Sequence, residues 1–189
     1  LSVSMDYISR IPLNFSLLDV HMWYIYLLIG MYLYMPVFSA WVEKASEKAK
    51  LWFLAAWGVT LFVPYYREFV NPYLWGSCSW NEFYMLYNFA GFNGYLLLGH
   101  YLRHHDFSLA RTLGWGIPSF VIGFLITFLG FRHITSLPEY TEEQLEMFFY
   151  YCSPNVVMMT VPCFLIAKKV NVRNERLRQT LANLTVCGF

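Results

Sequence analysis

The chain has 189 residues, of which 58% are hydrophobic, 21% aromatic and only 13% charged, with a formal net charge of +1. An ordinary soluble domain is about one quarter charged, so this composition and a mean hydropathy of +0.41 argue against one. The small net charge argues against a nucleic-acid binder, which needs a concentrated basic face. We therefore expect an all-α, polytopic integral membrane helical bundle, with residues 1–189 forming a single transmembrane domain.

The first predicted span covers about residues 20–42. Residues 1–18 mix polar and apolar side chains and are typical of a surface segment. From His21 to Pro36 the chain is then rich in aromatic residues and carries no charge, which suits a helix that crosses about 30 Å of hydrocarbon. The chain begins with Leu1 rather than Met and has no signal-peptide pattern, so we expect part of a longer protein or a processed one.

Four further apolar stretches predict four more spans. Between the second and third of the five spans, residues 69–80 are aromatic but broken by proline and glycine, and we expect them to lie in the membrane interface as a partial cover over a cavity. Thr141 and Gln144 have the spacing of a capping box, and Ala90 and Gly94 have the small-residue spacing of close helix contacts. The predicted spans are about 51–66, 83–102, 112–131 and 147–167.

The distribution of lysine and arginine predicts the orientation, because cytoplasmic loops are enriched in both. Three segments that fall on one side, residues 43–50, 103–111 and 168–178, hold ten of the thirteen basic residues, so that side is predicted to be cytoplasmic. Five spans then place the N-terminus outside and the C-terminus inside. Cys78 and Cys152 would lie toward the outside, where a disulfide is chemically possible. The other side holds Arg10, Arg67 and Arg132.

Several polar residues near the predicted outer boundary have two readings. His21, beside Asp19, is either an interface anchor or a functional group, because an ionisable side chain at a membrane boundary is costly to bury. Asn88 and Asn93 need hydrogen-bond partners inside a span, and either link helices or contact a substrate hydroxyl. The pairs Arg67-Glu68 and Arg132-His133 are either snorkelling charges or parts of a polar acceptor site near His21.

A histidine and arginine cluster follows the third span. His100 and His104 lie one helical turn apart, but without a clear acidic third ligand we expect no metal site. With Arg103 and Arg111, the cluster is either a solvated helix end or a site for the phosphates of a nucleotide-like molecule such as coenzyme A. The chain carries no nucleophile elbow, glycine-rich phosphate loop or His-Glu-x-x-His motif.

The run from His21 to Pro36 resembles the His-x-Trp-(Tyr/Phe)-x-Tyr-x-Leu-Ile-Gly-x-Tyr-Leu-x-x-Pro segment of membrane acyltransferase family three. These are bacterial inner-membrane enzymes that O-acylate, mostly O-acetylate, surface polysaccharides and related glycans. Residues 94–102 are similar to a later Gly-Tyr-x-Leu-Leu-Gly-x-Tyr-Leu segment of the family. Residues 153–157 and 184–189 are similar to its closing region.

The resemblance implies acyl transfer from a cytoplasmic acyl-CoA, with acetyl-CoA as the expected co-substrate and no bound cofactor, to a sugar hydroxyl of a glycan or lipid-linked saccharide. It also implies a multi-pass protein of the bacterial inner membrane. Family members have about ten spans, and residues 1–20 do not match the helices that carry the histidine and arginines needed for transfer. We therefore expect the catalytic residues upstream of residue 1 and an inactive fragment here. The cavity-lining candidates are His21, Trp23, Tyr24, Tyr26, Asn88 and Asn93, and the cofactor-binding candidates are His100, Arg103, His104 and Arg111.

Two other classes remain possible at this stage. A transporter or flippase-like membrane subunit without acyl transfer would also have kinked spans, intramembrane asparagines and an aromatic outer rim. Such a protein is expected to carry an internal repeat, and no repeat is visible in the sequence. A non-catalytic membrane scaffold would tolerate His21→Ala in the full-length protein without loss of glycan acylation.

Overall fold

The computed structural model of the chain describes residues 23–71, 83–170, 175–176 and 178–180. Within these ranges the regular structure is helical and contains no strand. The helices are α1 (Trp23–Lys44), α2 (Glu47–Thr60), α3 (Val63–Phe69), a 3-10 helix (Tyr84–Phe89), α4 (Asn93–His104), α5 (Leu109–Thr135), α6 (Glu142–Glu146) and α7 (Pro154–Lys169). The expectation of an all-α fold is therefore confirmed for the described part of the chain.

Two of the described helices are long and apolar enough to cross a membrane. They cover Tyr24–Lys44 and Leu109–Thr135, with 21 and 27 residues. Most apolar side chains of the second helix are exposed, including Phe124, Phe128 and Leu129. A core helix of a soluble domain would bury these side chains, so their exposure favours contact with lipid. The number of five spans and their orientation stay predictions.

The chain divides into two compact units, residues 1–51 and residues 52–189. In the first unit the structure describes α1 and the beginning of α2. Phe38 is buried in α1, and its ring lies 5.4 Å from Tyr34 and 5.6 Å from Trp41 by ring centroids. Successive aromatic residues of the predicted first span therefore pack against one another along the same helix.

The second unit is built around α5 and α7, which pack against each other in antiparallel directions and make its most extensive helix contact. Glycines at every seventh position of α5 face α7 and the residues that precede it. A Cβ added to Gly116 would lie 2.8 Å from the Cβ of Pro162, and one added to Gly123 would lie 2.6 Å from the main-chain oxygen of Asn155. Small residues permit this close approach of two helix backbones.

Three of the predicted spans are interrupted where the sequence disfavours a continuous helix. Residues 51–66 divide between α2 and α3, and Pro64 lies in the first turn of α3, where its missing N–H costs nothing. Residues 83–102 begin as the 3-10 helix and turn at Gly91, whose φ of +86° suits glycine. The last stretch becomes α-helical only from Pro154.

The predicted close contact at Gly94 is present in the second unit. The side chain of Trp57 in α2 lies against Gly94, so that a Cβ at this position would clash with the indole ring. The indole N–H of Trp57 also donates a hydrogen bond of 2.9 Å to the carbonyl of Gly91. Trp57 thereby satisfies a main-chain acceptor at the break between the 3-10 helix and α4.

Candidate functional site

A cavity of about 590 Å³ lies in the second unit between α3, α6 and the residues that lead into α7. We call the residues around it, 64–68 and 141–153, the cavity end. The described lining includes four charged side chains, so the cavity is polar although it lies beside apolar helices. Its polar and aromatic lining residues include Tyr65, Arg67, Glu68, Phe83, Thr141, Glu143, Gln144, Glu146 and Tyr150.

The predicted capping box is confirmed and fixes one wall of this cavity. The main-chain N–H of Gln144 donates to the hydroxyl of Thr141 at 3.2 Å, and the side-chain oxygen of Gln144 accepts from the main-chain N–H of Thr141 at 3.0 Å. The amide nitrogen of Gln144 then donates to Glu68 on α3 at 2.6 Å. One glutamine therefore caps α6 and also holds α6 against α3.

Arg67 is one of the charged residues that line the same cavity. Its Nε is buried and has no hydrogen-bond partner among the described residues, which is costly in free energy. Because Nε has no accessible surface, a molecule in the cavity would meet other atoms of the Arg67 side chain.

Asn155, which follows residues 141–153 and is counted here with the cavity end, is completely buried and is the centre of a hydrogen-bond network. Its amide nitrogen donates to the hydroxyl of Thr127 on α5 at 2.7 Å and to the carbonyl of Phe148 at 2.5 Å. The Tyr65 hydroxyl of α3 donates to the amide oxygen of Asn155 at 2.9 Å. The first turn of α7 is therefore tied to α3, to α5 and to the segment that precedes α7.

A second group of polar contacts lies at the C-termini of α4 and α7. We call the residues that make it, 102–106 and 168–169, the lysine end. The ammonium group of Lys168 donates to the carbonyls of Leu102, Arg103 and His105 at 3.2, 2.7 and 3.1 Å. These carbonyls lie at the C-terminus of α4, where helix geometry leaves acceptors free and favours a cation. Lys168, which lies on α7, therefore caps the C-terminus of α4.

Asp106 is the acidic partner of this end. It pairs with Lys168 at 3.2 Å and with Lys169 at 3.4 Å. Hydrogen bonding from Lys168, followed by its charge and that of Lys169, holds the pKa of Asp106 below its usual value. The segments 103–111 and 168–178, which the lysine and arginine count places on one side of the membrane, thus contact each other in the structure.

The candidate residues for a cofactor lie at or near the lysine end. Arg103, His104 and Arg111 are exposed and His100 is half-buried. The rings of His100 and His104 lie 4.3 Å apart by centroids, and Nδ1 of His104 is 2.8 Å from the carbonyl oxygen of His100. Within the described ranges, no three histidine, cysteine or carboxylate side chains are grouped so that they could hold a metal ion.

The remaining cavity candidates lie outside the described residues or are divided between the two units. His21 lies outside the described residues, as do Cys78 and residues 72–80 of the predicted interfacial cover. Trp23 begins α1, and Tyr24 and Tyr26 are half-buried in the first unit. In the second unit Asn88 is exposed in the 3-10 helix and Asn93 is half-buried at the start of α4. Their functional roles stay predictions.

Asn155 and Tyr65 are the polar residues that the sequence analysis did not single out. The reasoning that selected Asn88 and Asn93, an amide inside an apolar stretch, applies equally to Asn155. The signal was present in Ser153-Pro-Asn155, which the sequence analysis used only for the family resemblance. The side-chain partners of Asn155 are 28 and 90 residues away in sequence, so the network itself has no local signature.

Comparison with known proteins identifies the family. The family model described as an acyltransferase domain matches residues 2–187. The chain belongs to acyltransferase family three. This is a membrane family, in agreement with the two long apolar helices of this acyltransferase chain. No curated protein and no solved structure matches the chain significantly.

Proposed function

We propose that this chain is part of a multi-pass enzyme of the bacterial inner membrane that transfers an acyl group, acetyl in the first instance, from cytoplasmic acyl-CoA to a sugar hydroxyl of a surface glycan. The observation that carries the proposal is the match of the acyltransferase family model to residues 2–187. The two polar ends of the second unit support it, since such an enzyme needs a donor site and an acceptor site on different sides of the bilayer.

The lysine end suits the donor. Arg103 and Arg111 are exposed and lie in or near the segment 102–106, whose carbonyls bind Lys168. Neither arginine makes an ion pair with any described residue. Asp106 is already neutralised by Lys168 and Lys169 and would not repel an anion strongly. Guanidinium groups bind phosphate oxygens through paired hydrogen bonds, so Arg103 and Arg111 are the proposed contacts of the coenzyme A phosphates.

The transfer itself is a substitution at the thioester carbonyl. A general base takes the proton of the sugar hydroxyl while its oxygen bonds to the carbonyl carbon, and the carbon–sulfur bond then breaks. The products are an O-acyl ester on the sugar and coenzyme A, whose sulfur receives a proton. No redox step or metal ion is needed for this balance.

The direct test follows a labelled acetyl group in membranes that contain the whole natural protein. Inside-out vesicles receive acetyl-CoA labelled in the acetyl group, and the glycan fraction is recovered. We expect label in the glycan that mild base releases, because esters are cleaved under conditions that leave amides intact. Absence of label from the glycan, with the protein present and folded, would contradict acyl transfer.

Variants at the lysine end test the donor assignment. Exchanging Arg103 and Arg111 for Gln is expected to raise KM for acetyl-CoA about tenfold or more, since each lost charged hydrogen bond costs affinity. Lys48→Gln is the control, because Lys48 is an exposed basic residue on the same predicted side. An unchanged KM in the double variant would exclude these arginines from the donor site.

The same assay addresses the other candidate. A transporter or flippase-like subunit would move a lipid-linked saccharide across the vesicle membrane without transferring the acetyl group. The recovered glycan would then carry no label. Membranes that contain residues 1–189 alone test whether this part is inactive by itself. Labelled glycan in those membranes would show that the expectation of an inactive fragment is wrong.

A further inference from the structure

We propose that the cavity at the cavity end binds the uncharged saccharide of the acyl acceptor, with the guanidinium group of Arg67 as a hydrogen-bond donor and the Glu146 and Glu143 carboxylates as acceptors. This inference rests on the proposed function, because it assigns the acceptor site of that reaction. The sequence suggested a polar site for Arg67 and Glu68 near His21. The structure joins them to α6 and to the residues that precede α7, and His21 lies outside the described residues.

The charges in the cavity favour an uncharged ligand. Its lining has one guanidinium group, that of Arg67, and three carboxylates, those of Glu68, Glu143 and Glu146. An anionic molecule would meet more negative than positive charge there. The volume of about 590 Å³ is within the range of about 300–1,000 Å³ that is usual for small-molecule sites.

The hydrogen-bonding groups favour hydroxyls. The guanidinium group of Arg67 needs acceptors, whereas ionised carboxylates need donors. A hydroxyl group is both a donor and an acceptor, so neighbouring hydroxyls of one sugar can serve both kinds of partner. The aromatic rings of Tyr65 and Tyr150 supply apolar wall against which the C–H face of a sugar ring can pack.

Two of the residues that line the cavity, Glu68 and Tyr65, are held in place by contacts within the protein. Gln144 holds Glu68 at 2.6 Å, and Tyr65 is held at 2.9 Å by the buried amide of Asn155. Side chains that are already fixed lose less entropy when a ligand binds. Glu68 is therefore part of the frame, and Arg67 and Glu146 are the residues to test as ligand contacts.

The experiment compares variants of the whole natural protein in membranes, with acetyl-CoA as donor and the deacetylated neutral glycan fraction of the host envelope as acceptor. The variants are Arg67→Lys, which keeps the charge but lacks the planar guanidinium group, and Glu146→Gln, which keeps the shape but loses the carboxylate. Glu142→Gln is the matched control, because Glu142 lies on the same short helix and does not line the cavity. KM is measured separately for the glycan and for acetyl-CoA.

We expect both cavity variants to raise KM for the glycan about tenfold, while KM for acetyl-CoA and the Glu142→Gln control stay unchanged. A merely structural role would alter both KM values or lower the amount of folded protein. The inference is overturned if both cavity variants keep the wild-type KM for the glycan. It is also overturned if KM for acetyl-CoA rises equally.

A second measurement separates this inference from the proposed function. Binding of the same glycan fraction to the purified protein in nanodiscs is measured without acetyl-CoA. If the wild type transfers no acetyl group but binds the glycan, and Arg67→Lys and Glu146→Gln weaken that binding, the cavity assignment stands and the transfer proposal fails. If transfer occurs and glycan binding is the same in all variants, the cavity assignment fails and the transfer proposal stands.

Discussion

The two polar ends of the second unit hold their helices together in different ways. At the cavity end, the completely buried amide of Asn155 joins three segments through neutral hydrogen bonds. At the lysine end, Lys168 and Lys169 contact carbonyls and the exposed Asp106, where water and salt compete. The buried amide of Asn155 finds its partners within the protein, so the arrangement of these three segments is fixed. Cations in contact with water can exchange partners, which suits the proposed binding of an anionic donor at the lysine end.

Removal of the buried amide should have the largest effect. Asn155→Ala would leave the hydroxyls of Tyr65 and Thr127 without this partner and would open a small cavity, at a cost of about 2–3 kcal/mol. The free energy is measured by SDS-driven unfolding in mixed micelles. Thr160→Ala is the control on the same helix, since its exposed hydroxyl contacts only Val156 at 2.8 Å, and a change under about 0.5 kcal/mol is expected. Equal losses in the two variants would contradict the distinction between the ends.

The glycine contacts that connect the two ends should give the next largest effect. Gly123→Ala would place a Cβ 2.6 Å from the main-chain oxygen of Asn155, and a backbone atom cannot move aside cheaply, so we expect a loss of about 1–3 kcal/mol. Gly114→Ala on the same helix meets nothing within 4 Å and should be neutral or slightly stabilising. The same unfolding measurement compares them, and a stable Gly123→Ala variant would show that α5 and α7 are not closely packed there.

Lys168→Gln should have a smaller effect. The ammonium group is replaced by a shorter amide that does not reach all three carbonyls, and partly exposed contacts of this kind are worth under about 1 kcal/mol. Lys169→Gln removes only the longer contact with Asp106 and should cost less. If Lys168→Gln were as destabilising as Asn155→Ala, the lysine end would be as rigid as the cavity end.

The smallest expected effect is the pH dependence at Asp106. Because its pKa is lower in the folded protein than its usual value of 3.8, the carboxylate stabilises the fold above pH 3.8, and this contribution is lost as pH falls through the lowered pKa. The wild type should therefore exceed Asp106→Asn in thermal midpoint at pH 7, and the gap should close in acid. High salt should narrow the gap at pH 7. A gap that is independent of pH would mean that the pairing with Lys168 is not electrostatic.

Local features of the fold could be predicted from the sequence, whereas contacts between distant residues could not. The capping box of Thr141 and Gln144 depends on residues three positions apart, and it is present. Gly94 was correctly expected at a close contact, but the sequence did not identify Trp57 as the partner. For the candidate site, the two basic segments of the lysine end were assigned to one side by charge. The cavity was not predicted as such, because it needs Glu68 and Gln144, which are 76 positions apart in the sequence, to meet.

The seven-residue spacing of Gly116, Gly123 and Gly130 has a mechanical consequence. Each of these glycines leaves room for a residue of α7 or of the segment that precedes it, so α5 packs closely against both. A slide of α5 by one turn, about 5.4 Å, would bring Thr112 or Phe120 to the place where Pro162 now meets only a glycine hydrogen. These contacts therefore oppose axial sliding of α5 against α7, so the two helices would move together along their axes.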